Sequence, residues 1–232
     1  MRLSVGVLII GSLYWDADRQ SWRNARLHME EGYTVRAPIR YGRRSESRSN
    51  TFTMVFSRQC EAGQAKVVRC RNEVSRQNDL FIEAGHLWAA ERKGDLNGLI
   101  SANWGCVALL NHPDRHVPQE LLDAWAMRVA RERHYGNILQ APGEGPLVSE
   151  RGLLQIPWPT LIDGNDAVPL DLLIATANQP TLEGEPKSYP TPEMIANAWR
   201  MDRNNNVSYF WNNIRFGIRT FEDDAIRERL IG

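Results

Sequence analysis

The chain lacks almost every motif that announces a chemistry. Its 232 residues contain no GxGxxG after the first apolar run, no GxxxxGK[ST], no HExxH and no paired CxxC. Those absences remove the dinucleotide, nucleoside triphosphate and zinc-hydrolase readings. A GxSxG nucleophile elbow is missing too. Three cysteines, Cys60, Cys70 and Cys106, are an odd number without metal-ligand spacing. No disulfide framework is implied, and a reducing, cytoplasmic setting is expected. His112 and His116 stand four apart, but Pro113 between them opposes the helix that would aim both at one ion. Neither a metal nor a cofactor is expected.

No apolar run is long enough for a membrane span, and the N-terminal one lacks a small-residue cleavage site, so no membrane partner is expected. The formal net charge is zero, which gives no reason to expect nucleic acid. The charge is unevenly placed, however. Residues 1–80 carry 14 Lys and Arg against 8 Asp and Glu, a bias that draws an acidic ligand to this half or pairs it with the acidic remainder. The sequence carries no signal of oligomeric state.

What is present begins with Val5–Ile10, a short β-branched and aliphatic run that stops at Gly11–Ser12. Such a run reads as a buried strand bounded by a turn. Glycine lets the backbone turn tightly, and the amides beside it can then face an anion; an ordinary strand end is the alternative. Asp16–Arg23 reads as a loop or short helix. Tyr33–Val35 and Ile39–Tyr41 read as short strands broken at Ala37–Pro38, followed by a polar loop, Gly42–Asn50, and a strand, Thr51–Phe56. Arg36, Arg40, Arg43, Arg44 and Arg48 crowd this region as an anion pocket or a solvated basic loop.

Gln64–Arg71 alternates like a strand. Leu80–Glu91 is read as a longer one, with Glu83, Gly85, Leu87 and Glu91 sharing a face. A carboxylate on the inner face of a closed sheet has a raised pKa and can act as a base; an outward glutamate is the plainer alternative. Trp104–Leu110 reads as a strand. Pro118–His134 reads as a helix on the recurrence of Leu121, Trp125 and Val129. Pro142–Pro146 is a chain breaker and the best subdomain boundary. Leu153–Trp158 and Leu170–Ala177 read as strands. Thr191–Pro192–Glu193 opens a helix to about Met201, with threonine as N-cap and proline in the first turn. Thr220–Leu230 reads as a last short helix. Strands that do not alternate regularly with helices argue for a mixed α+β sheet or small barrel of about five to seven strands.

Three segments in order resemble the γ-glutamylcyclotransferase-like superfamily: Ile10–Gly11–Ser12–Leu13 with Tyr14–Trp15–Asp16 behind it, Val35–Tyr41 followed by Arg43–Thr53, and Ser188–Tyr189–Pro190–Thr191–Pro192–Glu193–Met194–Ile195. The resemblance covers about residues 4–110 and 185–200. It implies a single domain over 1–232, a small mixed barrel with helices outside, an inserted helical segment near 118–140 and additions after about residue 200. The implied reaction is intramolecular: the α-amine of a γ-glutamyl group attacks its own γ-carbonyl, releasing an amine and 5-oxoproline.

That resemblance makes Gly11, Ser12 and Leu13 the cradle of a small anionic or amino-acid-like substrate. Tyr14, Arg40 and Asn103 join them as substrate-binding candidates. The family's general-base glutamate is expected at Ser101–Asn103, where no carboxylate stands, and Ile10 replaces the loop's usual tyrosine. Either Glu83 or Glu91 is the catalytic base from another position, or the pocket binds a small molecule without turnover as a regulatory module. Eight tryptophans also leave room for a partner surface, with core packing as the alternative.

Overall fold

The computed structural model describes residues 2–135, 145–164, 166–202 and 204–232. Among them the chain is α+β, with six helices and an eight-stranded, mostly antiparallel sheet. The hydrogen-bonded path runs β3 (Thr51–Phe56), β2 (Tyr33–Ser45), β4 (Ala62–Arg69), β1 (Val5–Ile9), β8 (Leu172–Asn178), β6 (Gly105–Asn111) and β5 (Ser101–Ala102), with β7 (Thr160–Leu161) on β2. The path is open. β3 curls back against β8, yet no ladder joins them, so the expected closed barrel is not formed among the described residues. No described helix is long and apolar enough to cross a membrane.

β1 is buried along its whole length because it pairs on both edges, antiparallel to β4 and parallel to β8. A central strand covered on both faces needs a continuous apolar run rather than an alternating one, and Val5–Ile9 supplies it. Since β1 and β8 are parallel, their C-terminal ends lie at the same edge of the sheet, where open sheets commonly place ligands.

β2 runs unbroken through Pro38, against the expected break. Proline is tolerated because β2 changes partners there: pairing with β4 ends at Pro38 and pairing with β3 begins at Ile39. The missing N–H falls at the handover. Four residues on, a register shift between Tyr41 and Arg43 marks a bulge at Gly42. A Cβ on Gly42 would stand 2.6 Å from Val55 Cγ2, so the hairpin closes only over a glycine. The bulge breaks the period-two alternation. Tyr41 faces Trp199 and Phe210, while Arg43 is turned to the opposite, ligand-accessible side. The expected polar loop from Gly42 thus begins as strand.

The largest correction is Leu80–Glu91, which is not a strand but most of helix α2 (Gln77–Arg92). Its buried residues Leu80, Glu83, Ala84, Leu87 and Trp88 recur at i, i+3, i+4, i+7 and i+8, one helical face. Glu83 and Glu91 therefore do not share a strand face. Helix α1 (Gln20–Arg26) follows a 3-10 turn at Ala17–Arg19. Helix α3 (Gln119–Val129) is shorter than expected, while the region around Pro142 falls largely in residues 136–144, outside the described residues. Among the described residues Leu153–Trp158 forms isolated bridges rather than a strand, Leu153 to Leu109 and Leu154 to Val148. Helix α4 (Pro192–Met201) begins as read from sequence, with the Met194 N–H donating to Thr191 Oγ1 at 3.3 Å. Helices α5 (Ser208–Arg215) and α6 (Asp223–Ile231) complete the set.

Candidate functional site

The loop after β1 is held from three sides. Arg23 of α1 is buried and donates to the carbonyls of Leu13 at 2.9 Å and Asp16 at 2.8 Å. Asn213 of α5 accepts from the Trp15 indole at 2.8 Å. Tyr209, also of α5, lies directly over Gly11, where an added Cβ would stand 2.5 Å from the phenol oxygen. Close approach of Tyr209, rather than an unusual backbone angle, is what demands glycine at this position. Inside the loop, the carbonyls of Gly11 and Ser12 accept from Tyr14, Trp15 and Asp16. Among the described residues the N–H groups of Ser12 and Leu13 donate to no protein acceptor. Two adjacent amides on a loop held from three sides are thus left without a protein acceptor, and a pair of this kind can meet an anion.

Above the loop opens a cleft of about 590 Å³, within the ordinary range for a small-molecule site. Gly11, Ser12, Leu13, Glu91 and Asn103 all line it. Glu83, Tyr14 and Arg40 do not. Tyr14 turns instead to Phe216, ring centroids 6.1 Å apart. Arg40 pairs with Glu222 at 2.9 Å and lies over the Tyr189 ring. At Ser101–Asn103, the segment expected to hold the base, the Ser101 hydroxyl donates to Glu132 at 2.6 Å; Asn103 is an exposed part of the lining.

Glu91 comes from the last turn of α2 and enters the cleft without an ion pair or hydrogen bond to its carboxylate among the described residues. Desolvation in the cleft pushes its pKa above the usual carboxylate range, and the positive charges of Arg19, Arg43 and Arg48 only partly restore it. A carboxylate that is desolvated, accessible from a cleft and not tied to a cation is suited to take up a proton.

The cleft is cationic. Arg19, Arg43, Arg44, Arg48, Arg92 and Lys93 line it against Asp16, Glu46 and Glu91. Several of these charges are committed: Arg44 pairs with Glu183 at 2.6 Å, and Lys93 pairs with Asp18 at 2.7 Å. Arg43 is different. Trp88 of α2 stacks on Trp104 with centroids 4.7 Å apart, and the Arg43 guanidinium lies 4.7 Å from the Trp104 ring centroid. The stack orients the fork, yet no carboxylate lies within ion-pair distance of it among the described residues. Burial lowers its pKa, but a guanidinium remains charged. A fixed, unpaired guanidinium is a ready partner for a carboxylate or phosphate.

Of the residues named from sequence, Gly11, Ser12, Leu13, Glu91 and Asn103 line one cleft. Sequence reading missed Tyr209, for which the sequence offered no signal, and it counted Arg43 only as one of five arginines. No family model, curated protein or solved structure matches the chain.

Proposed function

We propose that the chain is a γ-glutamylcyclotransferase-like enzyme, acting on a γ-glutamyl or related amide at the Gly11–Leu13 cleft. One observation carries the reading: a desolvated, unpaired carboxylate, Glu91, opens into the same cleft as the Gly-Ser loop. The Ser12 and Leu13 amides and the Arg43 guanidinium offer the contacts that a substrate carboxylate requires. Glu91 takes a proton from the substrate ammonium, which frees the nitrogen lone pair. That nitrogen attacks the γ-carbonyl carbon and gives up a second proton as the ring amide forms, the old amide C–N bond breaks, and the departing amine takes up both protons, one of them returned by Glu91, and leaves as an ammonium. Holding amine and carbonyl together in one rigid cleft supplies the proximity on which ring closure depends. The open sheet differs from the barrel expected of the family, so the reading rests on the cleft and not on the fold.

The test is incubation of purified protein with a panel of γ-glutamyl dipeptides and amines, following 5-oxoproline and the released amine. Release by the native protein and its loss in Glu91→Gln supports the reading. Tight binding of the panel with no product leaves a small-molecule binding module on this cleft. Neither binding nor product overturns the proposal.

A further inference from the structure

Beside the loop, β8 contributes two residues that no step above has used. Thr176 and Asn178 both line the cleft and are more than nine-tenths buried, at 6% and 7% exposure. The Thr176 hydroxyl oxygen and the Asn178 amide oxygen are each enclosed without any hydrogen-bond partner. Native proteins rarely leave such atoms unpaired, because an unsatisfied buried polar group costs free energy without return. Two of them side by side, on the wall of a ligand cleft, call for a partner that arrives with the ligand.

Their position says which part of the ligand that is. Residues two apart on a strand face the same way. β8 runs parallel to β1 with Val7 opposite Ile174, so the C-terminal end that carries Thr176 and Asn178 lies at the same edge of the sheet as the Gly11 loop. The cleft lined by Ser12 and Leu13 thus also has two unpaired oxygen acceptors on its β8 wall. Donors and acceptors in one cleft match opposite charges on one ligand, a carboxylate and an ammonium. An ammonium carries three N–H donors and no acceptor, enough for Thr176, Asn178 and Glu91 together. The Asn178 amide oxygen only accepts, so a ligand that brings no N–H or O–H donor would leave it stranded.

We propose that Thr176 and Asn178 hold the free α-ammonium of the substrate, so that the site selects ligands bearing an amine next to a carboxylate. The inference rests on the γ-glutamyl reading of the cleft and adds to it the residues that recognise the nucleophile. The two oxygens fix the nitrogen while Glu91 removes its proton. Thr176→Val keeps the shape of the side chain and removes only the hydroxyl, and Asn178→Ala removes the amide.

The experiment compares γ-glutamyl-alanine with glutaryl-alanine, its counterpart without the amine. Dissociation constants are measured by calorimetry in a Glu91→Gln background, so that nothing is consumed. The parent is expected to bind the amine-bearing ligand more tightly, and each β8 variant to lose about tenfold on that ligand, a hydrogen bond to a charged group. Affinity for glutaryl-alanine should stay unchanged, which also reports that the variants are folded. Equal losses on both ligands, or full discrimination retained in both variants, overturns the assignment of β8. A parent that binds neither ligand overturns instead the γ-glutamyl reading beneath it.

Discussion

Two turns apart on α2, Glu83 and Glu91 are one residue type in two opposite settings. Glu83 is buried and fully engaged: Arg26 of α1 forks onto both of its oxygens, and Asn72 donates to it at 3.2 Å. Glu91 projects about 80° round the helix axis from it and enters the cleft; Arg19 donates to its backbone carbonyl at 3.3 Å, but its carboxylate has no hydrogen-bond or ion-pair partner among the described residues. The first carboxylate ties α2 to α1. The second is left open to the cleft without a countercharge, at a cost in desolvation. Burial alone does not mark a functional carboxylate. The distinction lies in whether the protein supplies the countercharge or leaves that to what binds.

The largest expected effect breaks the comparison at the catalytic end. Glu91→Gln should lower turnover of a γ-glutamyl amide by about a thousandfold, the scale of a lost general base. It should not destabilise the protein. A carboxyl whose folded pKa is raised contributes stability at low pH that is lost as pH rises through that pKa, so near neutrality Glu91 is a net burden. Thermal unfolding of Glu91→Gln at neutral pH should therefore occur at or above the temperature of the parent. A variant that both loses activity and melts early would make Glu91 structural and erase the contrast with Glu83.

The complementary change is Arg26→Ala, which strands the Glu83 charge in its buried position. Removing one partner of such a pair typically costs about 3–5 kcal/mol, and here Glu83 is 4% exposed and Arg26 17%. Urea unfolding should show that loss, while kcat of the remaining folded protein stays near that of the parent. A selective fall in kcat with stability unchanged would mean that the catalytic and structural ends of α2 had been assigned the wrong way round.

The same contrast explains what was legible in the sequence. β1, β3 and the start of α4 follow from local signals: a continuous apolar run, a β-branched run, and a Thr-Pro-Glu cap. α2 does not. Its inner face mixes Leu80, Leu87 and Trp88 with Glu83 and Ala84, so the helical stripe carries a charge and a small residue, and Phe81, Ile82 and Gly85 suggest a strand. Only Arg26, 57 residues away in sequence, makes Glu83 an inside residue. For β2, Pro38 is a valid break signal that a change of partner neutralises. The loop at Gly11 could be read as a cleft element, but the Tyr209 that covers it arrives from the far end of the chain.

Asp223 sharpens the contrast with an intermediate case. It is buried like Glu83, but its hydrogen-bond donor is a neutral hydroxyl, Thr220, at 2.6 Å. Burial outweighs that bond and pushes its pKa from 3.8 up to about 6. The folded state then holds the proton more tightly than the unfolded one. The contribution is full below about pH 4 and is lost as pH rises through about 6, a swing of up to about 3 kcal/mol. Asp223→Asn, whose amide oxygen can still accept from Thr220, should flatten that fall when urea unfolding is compared at about pH 5 and about pH 8. An unchanged slope would show that another group titrates there.

The smallest effect concerns how the cleft tunes Glu91. Arg19, Arg43 and Arg48 pull its pKa down against desolvation, and of these Arg48 is fixed by stacking on Tyr209, 4.7 Å from the ring centroid, rather than by a carboxylate. Arg48→Ala removes one opposing charge and lets desolvation raise Glu91 further. Glu91 acts as a base only when ionised, so kcat/KM falls on the acid side as pH drops through its pKa. In Arg48→Ala that acid limb should move to higher pH by a fraction of a unit, the scale of one partly screened charge in a wet cleft. A limb that stays put would mean Glu91 does not sense the arginine wall, and a shift to lower pH would contradict the electrostatics of the cleft outright. Because Glu83 already has its countercharge in Arg26, no substitution at Arg48 should alter the stability that the Arg26–Glu83 pair provides.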